Sequence, residues 1–524
     1  MYYIVGSGPA GVAAAIPLVE AGLAVTILDS GLQLEDSVKQ KVADLRQYSP
    51  EHWSTSDRAF LRGKAALVNG KLPRKTVFGS DFSYRQLPQF LVQGDAFNQS
   101  ESSFAAGGFS TTWGAGLLSY SAADTSDWPL HLTELYPYYQ AVQRWIPLAA
   151  DRDALEKQHP LFSDSFSSLT RGRHISAWLQ SIAGRRRSLE QAGFTYGAGR
   201  LALSDCRYCG LCLSGCPYDF IYRSSHTLAL LRQRSPQLSY RRGLEVQEIR
   251  EEAGSVAILT RDLNSQETIV FHGKRVFLAA GVLSSAKILL HSQRCYGEEV
   301  EIKDSQYFVF PLLTRVRCKS PRQEETFTIA QQVLHIAHPT LASPEIRLSL
   351  YPYNDFLSLT VQQKLGALYP LFRPFEDYFL GHLLLAQGCL PSKVSGSIRL
   401  SLEKQPSDGS LSLHCRSRLN PTSTIVFKKL FRHLLKNTSN LQALALAPLL
   451  QRGKIGQGFH MGASWPMALN PQGKFSSDLL GRPQGWQRLH LVDASVLPSL
   501  ASGSITFTIM ANAYRIAEQS RNLA

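Results

Sequence analysis

A glycine-rich turn directly after the first apolar segment constrains the fold most. Residues 2–5 read Tyr-Tyr-Ile-Val, which predicts a buried strand, and the glycines that follow, Gly6, Gly8 and Gly11, have the spacing G-x-G-x-x-G. Glycine permits a tight turn and lets a pyrophosphate come close to the N-terminus of the next helix. The unpaired N–H groups and the dipole of that helix favour an anion. The spacing therefore predicts a strand–turn–helix unit that binds phosphate.

An acidic residue stands where such a unit needs one. An apolar helix is predicted from Val12 to Ala21, and a second strand over 24–28 ends at Asp29. A carboxylate about 20 residues beyond the glycines is placed to accept hydrogen bonds from a ribose hydroxyl. Strand, turn, helix, strand and acid in this order predict a Rossmann-like α/β domain for a dinucleotide. On this motif alone, the dinucleotide is either FAD or NAD.

Four of the eight cysteines form one short run. Cys206, Cys209, Cys212 and Cys216 have the spacing C-x2-C-x2-C-x3-C and precede a proline. Bacterial ferredoxins hold iron–sulfur clusters with this spacing, so we predict a [4Fe–4S] cluster with these four thiolates as ligands. The alternatives are a zinc site, two disulfides, reduced structural cysteines, or a remote cysteine in place of Cys216 as fourth ligand. Ordinary buried thiols are expected at the other four positions: Cys295, Cys318, Cys389 and Cys415.

The distribution of charge bears on the class of partner. The 524-residue chain has 55 Lys and Arg against 41 Asp and Glu, a formal net charge of +14. The basic residues are dispersed, whereas a nucleic-acid-binding protein concentrates them on one element beside aromatic residues. We therefore expect no nucleic-acid partner. The basic residues form either solvated helix faces or a surface that steers an acidic redox partner or makes peripheral contact with anionic lipid.

Neither a transmembrane helix nor a targeting segment is predicted. No apolar run reaches the ~18 residues that a membrane-spanning helix needs. The nearest candidate, residues 378–390, is short and contains His and Gln, so we predict a buried helix there. The strand at residues 2–5 leaves no room for a signal peptide. We expect a cytoplasmic protein, unless it is exported folded with a partner that carries the signal.

The end of the chain resembles a known enzyme family. Residues 487–498 predict a strand that ends in Asp493 and a turn, and an apolar helix is predicted over 505–516. This pattern resembles the closing signature of the glucose–methanol–choline (GMC) oxidoreductases, whose flavin domain is completed by the end of the chain. The resemblance implies that the Asp493 carboxylate, the backbone around Ala494, and Thr506 flank the flavin of a bound FAD and its phosphates.

An internal loop resembles a subgroup of that family. Its residues Gly107, Gly108, Ser110 and Thr112 lie in a G-G-x-S-T-x-W sequence, similar to the loop that lies against the flavin ring in pyranose oxidases and glucoside 3-dehydrogenases. Where pyranose oxidases have a histidine bonded covalently to the flavin, this sequence has Thr112. A threonine hydroxyl has no basic ring nitrogen for that bond. The resemblance therefore implies that FAD is bound non-covalently.

Two further segments lie between these motifs in family order. Residues 277–286 resemble the strand–turn–helix element "AAG…SS" and imply that Ala280 contacts the cofactor. Residues 243–246 stand where the family places a strand against the adenine, which implies such a contact for Val246. Some GMC members, notably the glucoside 3-dehydrogenases, are similar in carrying an iron–sulfur cluster beside FAD.

Two residues near the C-terminus are the catalytic candidates. His460 lies in a segment that resembles the H-x-x-G-T…M context of GMC enzymes, where a histidine faces the flavin and removes the substrate hydroxyl proton. A histidine suits that work because its proton comes off near neutral pH. The second catalytic position is His or Asn in most of the family, and here it is Ser504. A serine hydroxyl donates one hydrogen bond but is no base at neutral pH, which leaves the proton chemistry to His460.

The resemblance implies an α/β architecture like that of GMC enzymes and p-hydroxybenzoate hydroxylase. A discontinuous Rossmann-like FAD-binding domain is joined to a substrate domain built on an antiparallel sheet with helices. Residues 347–351 and 397–401 alternate apolar and polar, as half-buried antiparallel strands do, and helices are predicted at about 423–450. The FAD-binding domain is predicted over 1–130, 195–298 and 456–524. The substrate domain is predicted over 131–194 and 299–455.

The expected function is that of an FAD-dependent dehydrogenase. It would oxidise an alcohol or a sugar or glycoside hydroxyl to a carbonyl, and pass the electrons through the [4Fe–4S] cluster to a protein or quinone acceptor. One alternative is a flavin oxidase whose cysteines are structural. Others are a lyase-like protein that holds FAD without net redox turnover and an electron-transfer or assembly partner.

Overall fold

A computed structural model gives the fold. It describes residues 1–63, 75–95, 102–341, 345–354, 357–358, 361–362, 365–407 and 409–523. Within these ranges the strands form four sheets. One large apolar core packs around the parallel sheet, and a second packs around the larger antiparallel sheet. No helix in the described ranges is long and apolar enough to cross a bilayer.

A parallel sheet contains the N-terminal unit. Its strands in spatial order are Leu489–Leu491, Arg275–Leu278, Tyr2–Val5, Val25–Asp29 and Leu238–Arg242. The strand segments contributed by residues 2–5 and 25–29 are buried along their whole length, as expected for a sheet covered on both faces. The sheet thus draws strands from the first, middle and last parts of the chain, which confirms the predicted discontinuous Rossmann-like domain.

Four helices accompany this sheet. They are Pro9–Glu20, Ser224–Arg234, Val282–Ser292 and Thr506–Ser520. The first and last of them pack against each other, so that the two ends of the chain meet beside the glycine-rich turn. The predicted first helix, the predicted C-terminal helix and the strand–turn–helix element at 277–286 are confirmed.

A larger antiparallel sheet forms the second core. Its strands in spatial order are Ala443–Ala445, Tyr307–Thr314, Leu383–Cys389, Ile346–Tyr351, Gln332–Ile336 and Phe194–Ala198, with Gln451–Arg452 also paired to the second. Helix Pro421–Lys436 covers it, because Phe427 and Phe431, four residues apart, lie on one face. They contact Phe308 and Phe310 with ring centroids 5.0 and 4.8 Å apart.

Two smaller sheets complete the fold. One contains Met461–Gly462, Val300–Asp304, Ser397–Lys404, Leu411–Arg418 and Leu91–Gly94, and the other Leu244–Glu252, Ser255–Asp262 and Thr268–Gly273. The other α-helices whose bounds are fully described are Asp36–Arg46, Thr55–Arg62, Tyr136–Gln143, Arg173–Ala183, Arg186–Gln191, Tyr369–Phe372, Glu376–Leu380 and Thr438–Leu441. The strands predicted at 243–246, 347–351 and 397–401 are confirmed.

Three predictions differ from the structure. The helix predicted at 378–390 is wrong: a short helix ends at Leu380, and Leu383–Cys389 is a strand whose neighbours on both sides supply its backbone hydrogen bonds. Of the helices predicted at 423–450, the part after residue 442 is a short strand and a turn. The domain boundary at residue 195 cuts through Phe194–Ala198, which pairs with Gln332–Ile336 in the larger antiparallel sheet.

Candidate active site

A cavity of about 490 Å³ extends along the carboxyl ends of the parallel strands. The glycine-rich turn borders it, and so does the segment from Gln457 to Met461. Open α/β sheets bind their ligands at the carboxyl ends of the strands. The cavity thus lies where the fold predicts a dinucleotide site, and it brings together motifs from the whole length of the chain.

The glycine-rich turn shows why each glycine is needed. Gly6 has a φ of 96°, a left-handed conformation that favours glycine. A methyl group on Gly11 would collide with the carbonyl oxygen of Gly6, so Gly11 permits the close packing of helix on strand. Gly8 is different, because a methyl group there would meet nothing within 4 Å, and Gly8 borders the cavity. The helix begins at Pro9, a residue suited to the first helical position.

Asp29 borders the cavity at the end of its strand. Its carboxylate accepts hydrogen bonds from the Ser7 hydroxyl and, at 2.9 Å, from the Tyr240 hydroxyl. Burial raises the pKa of Asp29 to about 6, and these hydrogen bonds oppose that rise. Ser7 also accepts a 2.9 Å hydrogen bond from the Gly107 backbone N–H, which joins the glycine-rich turn to the Gly107 loop.

The Gly107 loop forms one wall of the cavity. Gly108, Ser110 and Thr112 border the cavity, and Gly107, with a φ of 94°, begins the short 3-10 turn Gly108–Thr111 that presents them. The Ser110 hydroxyl donates to the Gly107 carbonyl at 2.6 Å, and the Ser224 backbone N–H donates to the Ser110 oxygen at 3.0 Å. These hydrogen bonds hold the loop against the start of helix Ser224–Arg234.

Asp493 connects two of the predicted motifs. Its carboxylate accepts hydrogen bonds from the Ser285 hydroxyl at 2.6 Å, from the Gly281 N–H at 3.0 Å, and from the Ser495 N–H at 2.9 Å. Burial raises the pKa of Asp493, against the effect of these hydrogen bonds. Further predicted cofactor contacts border the same cavity: Val246, Ala280, Ala494 and Thr506.

His460 borders the same cavity as the glycine-rich turn. Burial lowers the pKa of its imidazole to about 4, so the ring is neutral at physiological pH. Its Nδ1 lies 3.6 Å from the Sγ of Cys389, which also borders the cavity. The residue before it in the chain, Phe459, has a backbone φ of 57°. The Phe459 ring packs against the Phe109 ring, with centroids 4.9 Å apart. His460 thus meets the cavity from a tightly packed aromatic end.

Ser504 lies outside the cavity lining. Its hydroxyl donates a 2.5 Å hydrogen bond to the backbone carbonyl of Gly116. Its neighbours Ile505 and Thr506 do border the cavity, whereas Ser504 is not among the lining residues. Its hydroxyl proton is therefore used in holding the C-terminal loop, and the predicted catalytic role of Ser504 stays a prediction.

The eight cysteines are all free thiols, and Cys212 is near enough to Cys206, Cys209 and Cys216 to raise the pKa of each. Burial and the nearby thiols raise the pKa of Cys206 to about 12, and neighbouring thiols also raise the pKa values of Cys209 and Cys216. Among the residues that the structure describes, no three His, Cys, Asp or Glu side chains are placed to ligate a single metal ion. The run is thus a cluster of neighbouring thiols with no disulfide.

Backbone N–H groups point at several of these sulfurs. The Tyr208 N–H donates to Cys206 Sγ at 3.2 Å, and the Thr328 N–H, from a distant part of the chain, donates to Cys212 Sγ at 3.4 Å. Backbone hydrogen bonds also lower the pKa of Cys216, although burial raises it overall. Such donors favour negative charge on sulfur.

Lys75 lies between the cysteine run and the cavity. It borders the cavity, its Nζ donates to the Trp113 carbonyl at 2.6 Å, and burial lowers its pKa to about 8. The nearby Cys212 and Cys216 act in the opposite direction on that pKa. The sequence analysis missed Lys75 because an isolated lysine carries no local pattern.

The cavity also contains side chains from the larger antiparallel sheet. Tyr307, Gln387 and Cys389 border it, and Tyr307 pairs with Cys389 across neighbouring strands. The sequence analysis missed these residues as well. Alternation along a strand shows which residues share a face, yet it does not show which face meets a cofactor cavity.

Comparison with known proteins identifies the fold. No family model and no curated protein matches the sequence. A solved pyridoxine 4-oxidase from Mesorbium loti matches with a TM-score of 0.58 and 14% identity, covering 100% of this chain and 99% of its own. A formate oxidase variant from Aspergillus oryzae RIB40, solved to examine FAD modification, matches with a TM-score of 0.61 and 14% identity, covering 99% and 97%. The chain has the GMC oxidoreductase fold.

The GMC fold confirms the predicted architecture over its full length. Both solved structures match nearly the whole chain, so the parallel sheet and the antiparallel sheets belong to one shared arrangement. At 14% identity, the likeness concerns the arrangement of the backbone.

Proposed function

We propose that this protein binds FAD non-covalently and oxidises a CH–OH group of a small alcohol or sugar to a carbonyl. One observation carries the proposal: a single cavity is bordered both by the phosphate-binding turn and by a neutral, buried histidine. The names of the two solved structures with this fold support it, because both are oxidases and one is described with FAD.

The residues around the cavity fit FAD. The helix that begins at Pro9 suits the pyrophosphate, and Gly8 leaves open space beside it. Asp29 would accept from a ribose hydroxyl, and Val246 would contact the adenine. Thr112, which has no nucleophilic ring nitrogen, would lie against the flavin without a covalent bond. When bound, FAD accepts the carbinol hydrogen together with its two electrons.

His460 is the proposed base. Burial lowers the pKa of His460 to about 4, so the imidazole is neutral and has a free lone pair at neutral pH. The same lowering makes the ring a weaker base than a histidine in water, so it takes the substrate proton as the carbinol hydrogen leaves and not before. The substrate O–H would transfer its proton to this ring while the carbinol carbon gives up its hydrogen, leaving a C=O bond. The aromatic side chains of Phe109 and Phe459 would keep water from this end of the cavity.

Purified protein and a panel of alcohols, sugars and glycosides test this proposal. We expect flavin absorbance, release of the flavin into the supernatant on acid precipitation, and anaerobic bleaching by at least one compound. The variant His460→Gln should slow bleaching by about 10²–10⁴-fold, the usual contribution of a general base. His272→Gln, which changes an exposed histidine, is the control. A protein that binds no flavin, even with added FAD, would refute the proposal.

We further propose that the cysteine run holds a [4Fe–4S] cluster. Support comes from the ferredoxin spacing, from thiols close enough to raise one another's pKa, and from backbone N–H groups directed at Cys206 and Cys212. A cluster spreads its ligands around four irons, whereas ligands of one zinc ion lie ~2.3 Å from a single point. A one-electron couple there would suit a protein or quinone acceptor.

An oxidase that reduces O₂ and keeps its cysteines as structural thiols is the second candidate. It is favoured by the names of the two similar structures, which are both oxidases. A lyase-like protein that holds FAD without net turnover is the third, and the position of Ser504 against the Gly116 carbonyl is the observation that bears on it.

Iron analysis and oxygen uptake distinguish the three candidates. Anaerobically purified protein with a cluster should contain about four irons per chain, and Cys212→Ser should lose them while the control Cys318→Ser keeps them. Substrate-dependent O₂ uptake without iron would indicate the oxidase. Bound flavin that no substrate bleaches would indicate the lyase-like protein.

A further inference from the structure

We propose that Cys389 positions His460 by accepting a hydrogen bond from its Nδ1–H, which leaves the Nε2 lone pair for the substrate proton. This inference rests on the proposed function, because it assigns a positioning residue to the proposed base. The proposal gives a role to Cys389, which lies outside the predicted cluster. Cys389 ends the strand Leu383–Cys389, where the sequence predicted a helix.

The geometry places the two groups in contact. Cys389 Sγ lies 3.6 Å from His460 Nδ1, within the range for a hydrogen bond that involves sulfur, and both residues border the cavity. Within the described part of the chain, Cys389 is the one side chain that forms a hydrogen bond with the His460 ring. The hydrogen of the neutral ring lies on Nδ1 where the sulfur accepts and on Nε2 where the thiol donates, and the proposal is the first of these arrangements.

The backbone holds the pair in register. Ser305 donates its N–H to the His460 carbonyl at 2.9 Å, and its hydroxyl donates to the Leu390 carbonyl at 2.7 Å. Leu390 is the residue after Cys389, so Ser305 fixes both segments from one position. Cys389 also ends a strand whose partner across the sheet is Tyr307. Cys389 thus lies on regular strand structure, and His460 directly precedes the short strand Met461–Gly462.

Both partners are uncharged. Burial lowers the pKa of His460, and burial together with the nearby Asp304 carboxylate raises the pKa of Cys389 to about 12. The pair is therefore a thiol and a neutral imidazole. A neutral imidazole has one N–H, and the partner of one nitrogen determines the state of the other. With Nδ1–H directed at sulfur, Nε2 is free to act as a base.

The position of Ser504 strengthens the assignment. The GMC resemblance assigns a second catalytic group to that position, but the Ser504 hydroxyl donates to the Gly116 carbonyl and does not border the cavity. The Ser504 hydroxyl is thus engaged by that carbonyl, and the Cys389 contact is available to orient the His460 ring. Cys389 is the polar side chain in contact with the ring, and it reaches the ring from the substrate-domain sheet.

Nitrogen NMR of histidine-labelled protein tests the proposal without any substrate. The His460 signals are assigned by their loss in His460→Gln. In the wild-type protein we expect a neutral ring with hydrogen on Nδ1 and none on Nε2. Cys389→Val, which removes the acceptor at similar volume, should shift the ring toward the other tautomer, and Cys389→Ser should restore the wild-type pattern.

A kinetic measurement on the same variants adds a second readout. With a substrate that bleaches the flavin, Cys389→Val should lower kcat on the order of tenfold, in the range seen when an orienting partner of a histidine ligand is lost. KM should change less than kcat, and Cys389→Ser should recover most of the rate. Cys415→Val is the control, because Cys415 is another fully buried strand cysteine.

The outcomes separate this inference from the proposed function. A wild-type ring with hydrogen on Nε2, or a tautomer that Cys389→Val leaves unchanged, overturns the positioning role. If Cys389→Val does not fold, the tautomer of the wild-type ring alone decides the positioning role: hydrogen on Nδ1 supports it, and hydrogen on Nε2 overturns it. The expected tautomers with no substrate oxidised would instead support the positioning role and count against the proposed function.

Discussion

The carboxylate of Asp493 accepts a 2.6 Å hydrogen bond from the hydroxyl of Ser285. These residues are far apart in the chain, and each belongs to a motif that the sequence analysis recognised separately. The same carboxylate accepts the N–H of Gly281, at the start of helix Val282–Ser292. An acid two residues beyond the strand Leu489–Leu491 therefore fixes the beginning of a helix beside the cavity.

The first prediction concerns this connection. Asp493→Ala should leave the buried Ser285 hydroxyl and the buried Ser495 N–H without an acceptor. Such a group costs about 1–3 kcal/mol of unfolding free energy. The variant should also retain less flavin, because the helix start and Ala494 both border the cavity. Urea unfolding and flavin content after desalting measure the two effects.

The control for this prediction is Asp262→Ala. Asp262 also accepts two backbone N–H groups, from Asn264 and Ser265, but it ends the strand Ser255–Asp262 outside the cavity lining. It should keep its full flavin content. Equal flavin content in Asp493→Ala and Asp262→Ala would show that Asp493 is dispensable for the cofactor.

The second prediction separates two glycines of the same turn. Gly11→Ala should destabilise the fold, because its methyl group would collide with the Gly6 carbonyl oxygen. Gly8→Ala should fold as well as the wild type, since Gly8 has extended backbone and open space around its Cβ position. Its methyl group would nevertheless occupy space beside the proposed pyrophosphate. We expect near-normal thermal unfolding for flavin-free Gly8→Ala, together with FAD binding at least tenfold weaker.

A flavin-free melting temperature well below the wild-type value in Gly8→Ala would contradict this distinction. So would FAD affinity equal to that of the wild type. Gly11→Ala serves as the comparison, since its defect should already be present without the cofactor.

Much of the domain built on the parallel sheet could be predicted from the sequence, because the patterns that indicate it are local. The glycines, the apolar strand at 2–5 and Asp29 all lie within one short segment, and the helix and strand periods there are unambiguous. Most predicted cofactor contacts border one cavity for the same reason, since each stands at the end of a strand or the start of a helix.

The larger antiparallel sheet was harder to predict, because its strands and their pairing depend on contacts between distant parts of the chain. Leu383–Cys389 is buried along most of its length, and a short apolar run does not distinguish a strand from a buried helix. The contact of Cys389 with His460 depends on strand pairings across the sheet that no local pattern specifies. Lys75 also borders the cavity only because of tertiary packing, and the segment that contains it has no sequence motif.

The third prediction concerns pH. The pKa of His460 is lowered to about 4 in the folded protein, whereas an unfolded chain titrates its histidines near 6.5. Between these values the unfolded state binds more protons, so the unfolding free energy rises with pH up to about 6.5 and is then constant as far as His460 is concerned. Lowering the pH from 7.5 to 5 should remove about 2 kcal/mol through this residue.

Urea unfolding of wild type and His460→Gln at pH 5 and 7.5 measures this contribution. The difference between the two proteins should change by about 2 kcal/mol, in favour of wild type at the higher pH. The control His272→Gln, at an exposed position, should leave the wild-type pH dependence in place. A pH-independent difference for His460→Gln would mean that the His460 ring is protonated as readily in the folded state as in the unfolded state.

The last prediction concerns a buried arginine that joins three parts of the chain. Arg347, in the strand Ile346–Tyr351, contacts the Asp124 carboxylate at 2.6 Å and the Ser502 hydroxyl at 3.2 Å. Its Nε donates to His159 Nε2 at 3.1 Å, and that ring can accept because burial lowers the pKa of His159 well below its ordinary value. Arg347 thereby attaches the C-terminal loop before Thr506 to the larger antiparallel sheet.

Removal of Arg347 would leave buried carboxylates without their cation. Arg347→Met should therefore lower the unfolding free energy by about 3–5 kcal/mol, the usual effect of breaking a buried ion pair from one side. The control is Arg399→Met, which removes the partner of Glu299 in an ion pair whose Arg399 side chain is half-exposed. Its loss should lower the unfolding free energy by less than about 1 kcal/mol. Because Arg347 holds the loop that leads to the cavity, flavin affinity should fall in Arg347→Met and not in Arg399→Met. Equal urea midpoints and equal flavin affinity in the two variants would show that the C-terminal loop keeps its position without Arg347.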